Sequence, residues 1–419
     1  MNKILSLVKK RYIVLFPIVS LIFIAQFDKY SELTSSGTFG AALRLCIPIC
    51  LAGVGAIYSE RSGIVNIGLE GMMIMGTWFG AWAGWLYGPW YGVLAGFLGG
   101  ALFGLIHAIG TVTFQVDHIV SGVAINILAA GVARFLSVVA YADVPSGGAT
   151  QSPRVDDRIS QISIPYLSGG EINDEKTFDL FGSLESLDIF LISDIFGLLG
   201  GLTRNISLFS ILALSLVPIS VWILWSTNFG LQLRSVGEYP VGSESVGVNV
   251  YLMKYIGVTT SGAFAGLAGA YLVIESAGIY REGQTGGRGF IGLASMIFGN
   301  WKPLGTFLGS GLFGYADSLQ LRSEESVHGL LLLIVLILLL VAIRSFFAKK
   351  IKSAVGALSV AILFAIWFFN SSTVPNEFVF FTPHITTLIV LSFASQRLRM
   401  PKFIGKSYSC LLYTSDAAD

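Results

Sequence analysis

The chain has 419 residues, 54% of them hydrophobic and 12% charged, with 26 Lys and Arg against 25 Asp and Glu, a net charge of +1 and a mean hydropathy of +0.74. Soluble domains carry about 25% charged residues, so this composition excludes a large soluble enzyme, a disordered chain and a coiled coil. The near-zero charge also excludes nucleic-acid binding by bulk electrostatics. What remains is an all-α polytopic transmembrane helix bundle, because the apolar runs are continuous over about 20 residues where barrel strands would alternate.

Taken in chain order, the first run is Tyr12–Phe27. It follows a basic flank and lacks a small-x-small cleavage site, so it is expected to be a retained helix rather than a signal peptide. Thr38–Tyr58 is the second, and its Cys46 and Cys50 lie one helical turn apart, which suits packing better than redox or metal chemistry. Ile67–Tyr87, Trp90–Gly110 and Ile119–Tyr141 come next, then the polar stretch 142–205 with the apolar Ile189–Leu202 inside it. After Ile206–Ser226 a second polar stretch, 227–254, leads to Tyr255–Glu275. Phe290–Asn300 is too short for about 30 Å of hydrocarbon and is expected to be re-entrant or broken, surrounded by protein or a water-filled path. Thr306–Leu321, Leu330–Ile343, Val355–Phe369 and Val379–Ala394 complete a set of about 10–12 membrane segments.

Alternating these segments from a cytoplasmic N-terminus puts sixteen Lys and Arg inside and eight outside. That bias agrees with both termini being cytoplasmic, with 142–205 outside and 227–254 inside. The last ten residues, CLLYTSDAAD (Cys410–Asp419), translate a DNA string that resembles a transposon-end sequencing adapter. The transmembrane domain is therefore expected to run over 1–409, with 410–419 an artefact.

Glycine recurs every fourth residue at Gly76, Gly80, Gly84 and Gly88, at Gly92, Gly96, Gly100 and Gly104, and at Gly262 and Gly266. Each series makes a smooth strip on one helix face, where two backbones approach closely. Sliding interfaces and static packing both fit such strips. Polar residues at membrane depth are functional candidates by default. Here they are Arg44, Asn66, Glu70, His107, Asn126, Arg134, Glu275 and Asp317. His107, Glu275 and Asp317 sit near segment ends and suit structural pairing or snorkelling. Asn66 and Glu70 stand out, because Gly63, Gly68 and Gly71 interrupt a helix around them and an interrupted helix leaves backbone groups open to a polar solute. Arg44 is a candidate partner of Glu70 or of the solute.

The stretch FGLQLRSVGEYPVGSESVGVNV (Phe229–Val250) is polar and amphipathic between two spans. Pro240 suits the first turn of a short helix, Glu244 favours its interior and Gly247 its end. A short helix in the membrane plane is what a permease needs to take force from a soluble motor; an ordinary loop is the alternative. The chain has no G-x-x-x-x-G-K-[ST], so any driving ATPase is a separate chain. No metal-ligand spacing, cofactor motif or nucleophilic triad is present, and the reading is of a transport subunit rather than an enzyme.

SERSGIVNIGLEGMM (Ser59–Met73), the loop just quoted, SGAFAGLAGAYLVIE (Ser261–Glu275), RGFIGLASMIFGNWKPLG (Arg288–Gly305), LFGYADSLQLR (Leu312–Arg322) and LSFASQRLRMPKFIGKSY (Leu391–Tyr408) resemble, in order, the branched-chain-amino-acid/ribose type permeases of ABC importers. They are most similar to the nucleoside-importing subgroup. The resemblance implies an ABC ATPase partner, a second related permease subunit, an extracytoplasmic substrate-binding lipoprotein and a bacterial cell membrane. It places Arg234, Gly237, Glu238, Pro240, Glu244 and Gly247 in the loop that docks on the ATPase. Asn66, Gly68, Glu70 and Gly71 match the signature near the translocation path, to which Arg44 and Asn126 are added as membrane-depth polar residues. Gln232, Tyr239 and Val241-Gly242-Ser243 depart from the family pattern at the docking contacts.

The solute is then a nucleoside or purine-like molecule moved by alternating access, with membrane lipid around the bundle. A simple-sugar or branched-chain amino acid permease is the alternative within the family. An ion-coupled secondary transporter using Glu70 and Asp317 is the alternative outside it. Trp78, Phe79 and Trp82 are available to stack on a base, although lipid-facing or interfacial aromatics account for them as well.

Overall fold

A computed structural model of the chain describes residues 16–172, 175–322, 324–375 and 398–408. The expected span Val379–Ala394 and the tail Cys410–Asp419 lie outside the described residues. Helix dominates, and the strands are two-residue pieces such as Glu171–Ile172 paired antiparallel with Glu175–Lys176. Among the described residues, seven helices are long and apolar enough to cross a membrane.

The helices follow the apolar runs. They are α1 (Phe16–Ala25), α2 (Ser36–Arg61), α3 (Leu69–Tyr87), α4 (Pro89–Ala108) and α5 (His118–Tyr141). The polar stretch holds α6 (Leu180–Glu185) and α7 (Ile192–Thr203), and then come α8 (Leu208–Ser226), α9 (Asn228–Glu238), α10 (Pro240–Ser245) and α11 (Val250–Tyr271). The last are α12 (Arg288–Phe298), α13 (Pro303–Arg322), α14 (Glu324–Phe347) and α15 (Ile351–Asn370). α4 and α11 each end in a wider π-helical turn, Ile109–Thr113 and Leu272–Ala277.

Polar residues at the boundaries set where these helices start. Asp117 accepts the N–H groups of Ile119 and Val120 at the head of α5, Thr227 that of Gly230 in α9, and Asn249 that of Leu252 in α11. Each satisfies a donor that the first helical turn leaves open. Pro89 and Pro240 open α4 and α10, where a missing N–H has no consequence. Gly88, at φ +100°, reverses the chain between α3 and α4, a conformation that side chains strongly disfavour.

The chain forms two compact units. One gathers Met1–Leu43, Ile162–Ile206 and Tyr315–Thr386. Its core packs Ile24, Tyr30, Leu33, Leu319 and Leu331, and buried His328 meets the Tyr30 hydroxyl at 2.9 Å and stacks on Phe368. The other gathers Arg44–Gln161, Ser207–Gly314 and Thr387–Asp419, and it holds every candidate residue except Asp317, which belongs to the first unit.

At the centre of this second unit, α3, α4 and α11 pack backbone against backbone. Gly76 lies on Gly266 and Gly80 on Ala270, so α3 and α11 run in the same direction. Gly96 meets Ala270 and Gly104 meets Gly262, so α4 runs against them. A Cβ on Gly104 would fall 3.0 Å from the Gly262 Cα. The glycine strips thus face one another, and lipid offers no hydrophobic drive that would compete with such close dispersion contact. Gly88 is the exception in its series, ending α3 with open space around it. Cys46 and Cys50 are buried free thiols of α2.

Candidate functional site

Between Arg61 and Leu69 the chain leaves helical geometry, so α2 and α3 are separated by a broken segment, residues 62–68. Gly71, expected to be part of the interruption, lies instead in the first turn of α3. Buried backbone outside a helix must find partners elsewhere, and here side chains of three helices, α2, α4 and α5, supply them. Ser59 donates to the Ile64 carbonyl at 2.8 Å. His118 Nδ1 accepts the Val65 N–H at 3.3 Å, and His107 Nε2 meets the Val65 carbonyl at 3.3 Å. A carbonyl only accepts, so His107 carries a proton on Nε2. Asn126 donates to the Ile67 carbonyl at 3.1 Å and accepts the Gly71 N–H at 2.7 Å.

The interruption was expected to present open backbone groups to a solute, and most of those groups are instead taken by protein. His107, which suited a structural pairing near a segment end, is one of the residues that take them. Asn66, fully buried, donates to Ser261 Oγ at 2.9 Å, and among the described residues its Oδ1 has no protein partner. Gly68 and Gly71 pack against Ile125 and Asn126, and a Cβ on Gly71 would sit 2.8 Å from the Asn126 Cα.

Glu70 joins this broken segment to a second one. α11 and its terminal turn run over Val250–Ala277, and the chain then turns back along the bundle. The stretch 278–287 is made of bends and turns, and α12 has only 11 residues. The short apolar run Phe290–Asn300 is therefore a half-helix, as its length implied. Glu70 Oε1 accepts the N–H of Gly287 at 2.9 Å and Oε2 that of Gly289 at 2.7 Å. The carboxylate caps the start of α12, where unpaired N–H groups and the helix dipole favour negative charge. Gly287 is left-handed at φ +78°, and a Cβ on Gly289 would lie 2.7 Å from the Glu70 Cα. Since the start of α3 lies level with the middle of α11 and its terminal turn, this cap sits about half-way along that helix.

Part of the polar stretch after α5 supports the return. The Ser152 N–H donates to the Tyr280 carbonyl at 3.1 Å, and the Tyr280 N–H donates to Ser152 Oγ at 3.0 Å. Val155 N–H reaches the Gly278 carbonyl at 2.9 Å, and Glu282 N–H the Thr150 carbonyl at 2.8 Å. Ser152 was not a candidate, since nothing in a polar loop marks which serine will pair with a distant backbone. Nor was Gln284, whose Oε1 accepts the Arg281 N–H and whose buried Nε2 has no protein acceptor among the described residues.

Other candidates lie elsewhere. Arg44 makes no ion pair with Glu70; its charge acts on Glu275 and Tyr271. Arg134 pairs with Glu282 at 3.5 Å, both well exposed. Trp78 is buried, donates to Ser137 Oγ at 3.0 Å and stacks on Trp82 with rings 6.2 Å apart, so its indole is used in packing. Phe79 sits edge-on to it.

The residues singled out in 227–254 form one group. α9 and α10 meet at Tyr239, with Pro240 buried at the start of α10 and Gly247 in a left-handed turn beyond its end. The Arg234 guanidinium lies 5.5 Å from the Trp225 ring, whose other neighbour is Arg61 at 5.7 Å. Glu238 lies 4.0 Å from Arg61, and Gly237 presses on the Arg61 backbone. Tyr239 and Val246 are exposed apolar side chains beside Glu244.

A family model described as "Branched-chain amino acid transport system / permease component" matches residues 39–340. The chain belongs to this permease family. The permease is 35% identical over 293 residues to the guanosine ABC transporter permease protein NupQ of Bacillus subtilis, covering 67% of this chain and 81% of that one. It is 32% identical over 284 residues to the nucleoside ABC transporter permease protein NupC of Lactococcus lactis, covering 65% and 78%. A third relative, TsgC13 of Haloferax volcanii, is an ABC transporter permease provisionally named for glucose; it is 28% identical over 390 residues, 90% of this chain and 98% of its own. No solved structure matches the permease. Family and helices together make it a multi-pass membrane protein and a transport subunit rather than an enzyme.

Proposed function

We propose that this permease imports a nucleoside or purine-like solute across a bacterial cell membrane, driven by ATP hydrolysed on a separate chain. The observation that carries the reading is its identity with the guanosine and nucleoside permeases of two species over about two thirds of its length. An ABC ATPase docks on Arg234, Gly237, Glu238, Pro240, Glu244 and Gly247 from the cytoplasm. A second related permease completes the pore, and a substrate-binding lipoprotein delivers solute from outside.

The junction of Asn66, Gly68, Glu70, Gly71 and Asn126 with the start of α12 borders the path, with Arg44 farther along the bundle. Broken helices at mid-depth are where transporters bind polar solutes, because helix ends there present uncompensated polar groups. ATP binding closes the motor, α9 and α10 move, and the path changes its facing. Solute affinity must differ between the two facings for this to do work.

The test is uptake of radiolabelled guanosine by cells expressing this permease with its neighbouring genes, beside a hydrolysis-blocking Glu→Gln change in the ATPase. Uptake is expected to vanish with that change and to be competed by nucleosides but not by leucine. A sugar importer is the second reading, favoured by the relative named for glucose, which matches over 90% of the chain. Competition by glucose and not by nucleosides would establish it. Uptake that survives the ATPase change and collapses with a proton uncoupler would refute both.

A further inference from the structure

The segment 398–408 does not lie loose beside the bundle; it is tied along its length to five elements of the second unit. Arg399 donates its N–H to Asn300 Oδ1 at 2.7 Å, in the turn between α12 and α13. Lys402 N–H reaches Glu238 Oε2 at 3.4 Å, and Phe403 N–H the Gly237 carbonyl at 2.9 Å, both at the end of α9. Gly405 N–H donates to the Gly63 carbonyl at 3.0 Å, in the broken segment that leads to Asn66 and Glu70. The Tyr408 hydroxyl donates to the Glu244 carboxylate of α10.

These ties close around Lys254 of α11. Lys254 is 2% exposed, and its ammonium lies 5.5 Å from the Phe403 ring and 5.6 Å from the Tyr408 ring. A buried lysine without a carboxylate is tolerated only where other electron-rich groups face it, and two aromatic faces do this. Tyr251, one turn before Lys254, packs on Tyr408 at 5.9 Å. Phe403 and Tyr408 thus each do two things: they hold the lysine, and their own N–H or O–H grips the α9–α10 loop.

We propose that residues 399–408 are a transmission clasp, which carries displacement of α10 into the broken segment before Glu70. The route is short and continuous: Glu244 to the Tyr408 hydroxyl, back three residues along the chain to Gly405, across one backbone hydrogen bond to Gly63, and on to Asn66. Lys254 is its fixed anchor on α11, and Phe403 and Tyr408 are positioning residues that touch neither solute nor nucleotide. This rests on the reading that α9 and α10 meet the ATPase. Such a route carries coupling only if both ends bias the same element, and the broken segment is the element that both share.

The experiment uses the whole transporter in proteoliposomes, measuring solute uptake and ATP hydrolysis together. Tyr408→Phe keeps the ring on Lys254 and removes only the bond to Glu244. It is expected to lower the solute moved per ATP by about fivefold or more, with hydrolysis and ATPase retention close to wild type. Phe403→Leu, which keeps an apolar side chain, is expected to show the same loss.

An unchanged solute-to-ATP ratio in Tyr408→Phe and Phe403→Leu would overturn the clasp. So would release of the ATPase from Tyr408→Phe, which would make the segment a docking surface. The underlying reading fails separately, if a cysteine at Val246 in an otherwise wild-type chain never cross-links to the ATPase.

Discussion

Glu70 shows how much one buried carboxylate determines. Both of its oxygens accept backbone N–H groups of a segment more than 200 residues away, at the start of a half-helix. Hydrogen bonds to charged groups contribute about 1.5–3 kcal/mol each. Glu70→Gln places an amide donor against a backbone donor and is expected to lower the thermal unfolding midpoint in detergent and to cut uptake about tenfold. Glu70→Asp, which shortens the reach but keeps two acceptors, is expected to fall between the two. An unfolding midpoint unchanged in Glu70→Gln would mean that the cap does not hold α12. Glu70 and Asn66 stood out in the sequence because a glycine-interrupted apolar run with an acid inside it is unusual. The identity of the partner was not legible there. Gly287 and Gly289 carry no side chain, so no pattern of charge or polarity could point from Glu70 to them. Arg44 illustrates the opposite case: the sequence left pairing with Glu70 and contact with the solute both open, and the fold sets its charge nearer Glu275, farther along the bundle.

Among the elements, the α3–α4–α11 block makes the sharpest stability forecast. A Cβ on Gly266 would meet the Gly96 carbonyl and lie 2.8 Å from the Gly100 Cα, whereas one on Gly131 of α5 would meet nothing within 4 Å. Overpacking costs about 1–3 kcal/mol, so Gly266→Ala is expected to lower the thermal unfolding midpoint of the purified permease. Gly131→Ala is expected to leave it unchanged or raise it, since alanine favours a helix interior by up to about 1 kcal/mol. Equal shifts in the two would mean that the strips are not in contact. Spacing alone revealed the strips, because period four is a property of one helix. Which strip meets which is a property of three helices, and needed coordinates. α12 was legible through its length. The pairing of 150–155 with 278–282 was not, because it is made by backbone atoms and one serine in a stretch with no periodicity.

For the molecule as a whole, the placement of basic residues assigns each polar stretch to one side of the membrane. α10 lies at the Arg61 end of α2, and α6 belongs to the long stretch after α5. With Cys410 replaced by serine and Cys46 and Cys50 buried, a cysteine at exposed Ser245 is expected to react with an impermeant maleimide only from the cytoplasmic side. One at exposed Ser186 is expected to react only from outside. Labelling of both from one side would overturn the assigned orientation. The sequence reached the class of molecule through composition, since the bilayer acts on every segment alike; the orientation read from its basic residues is the expectation that this labelling tests.

The glycine-to-glycine packing of α3, α4 and α11 has a bearing on the membrane's own energy supply. Where main chains touch with no side chains between them, no crevice is left wide enough for a file of water molecules. A proton would have no wire to follow through that block, however often the rest of the permease changed shape. The membrane voltage is thereby spared a proton leak through this block.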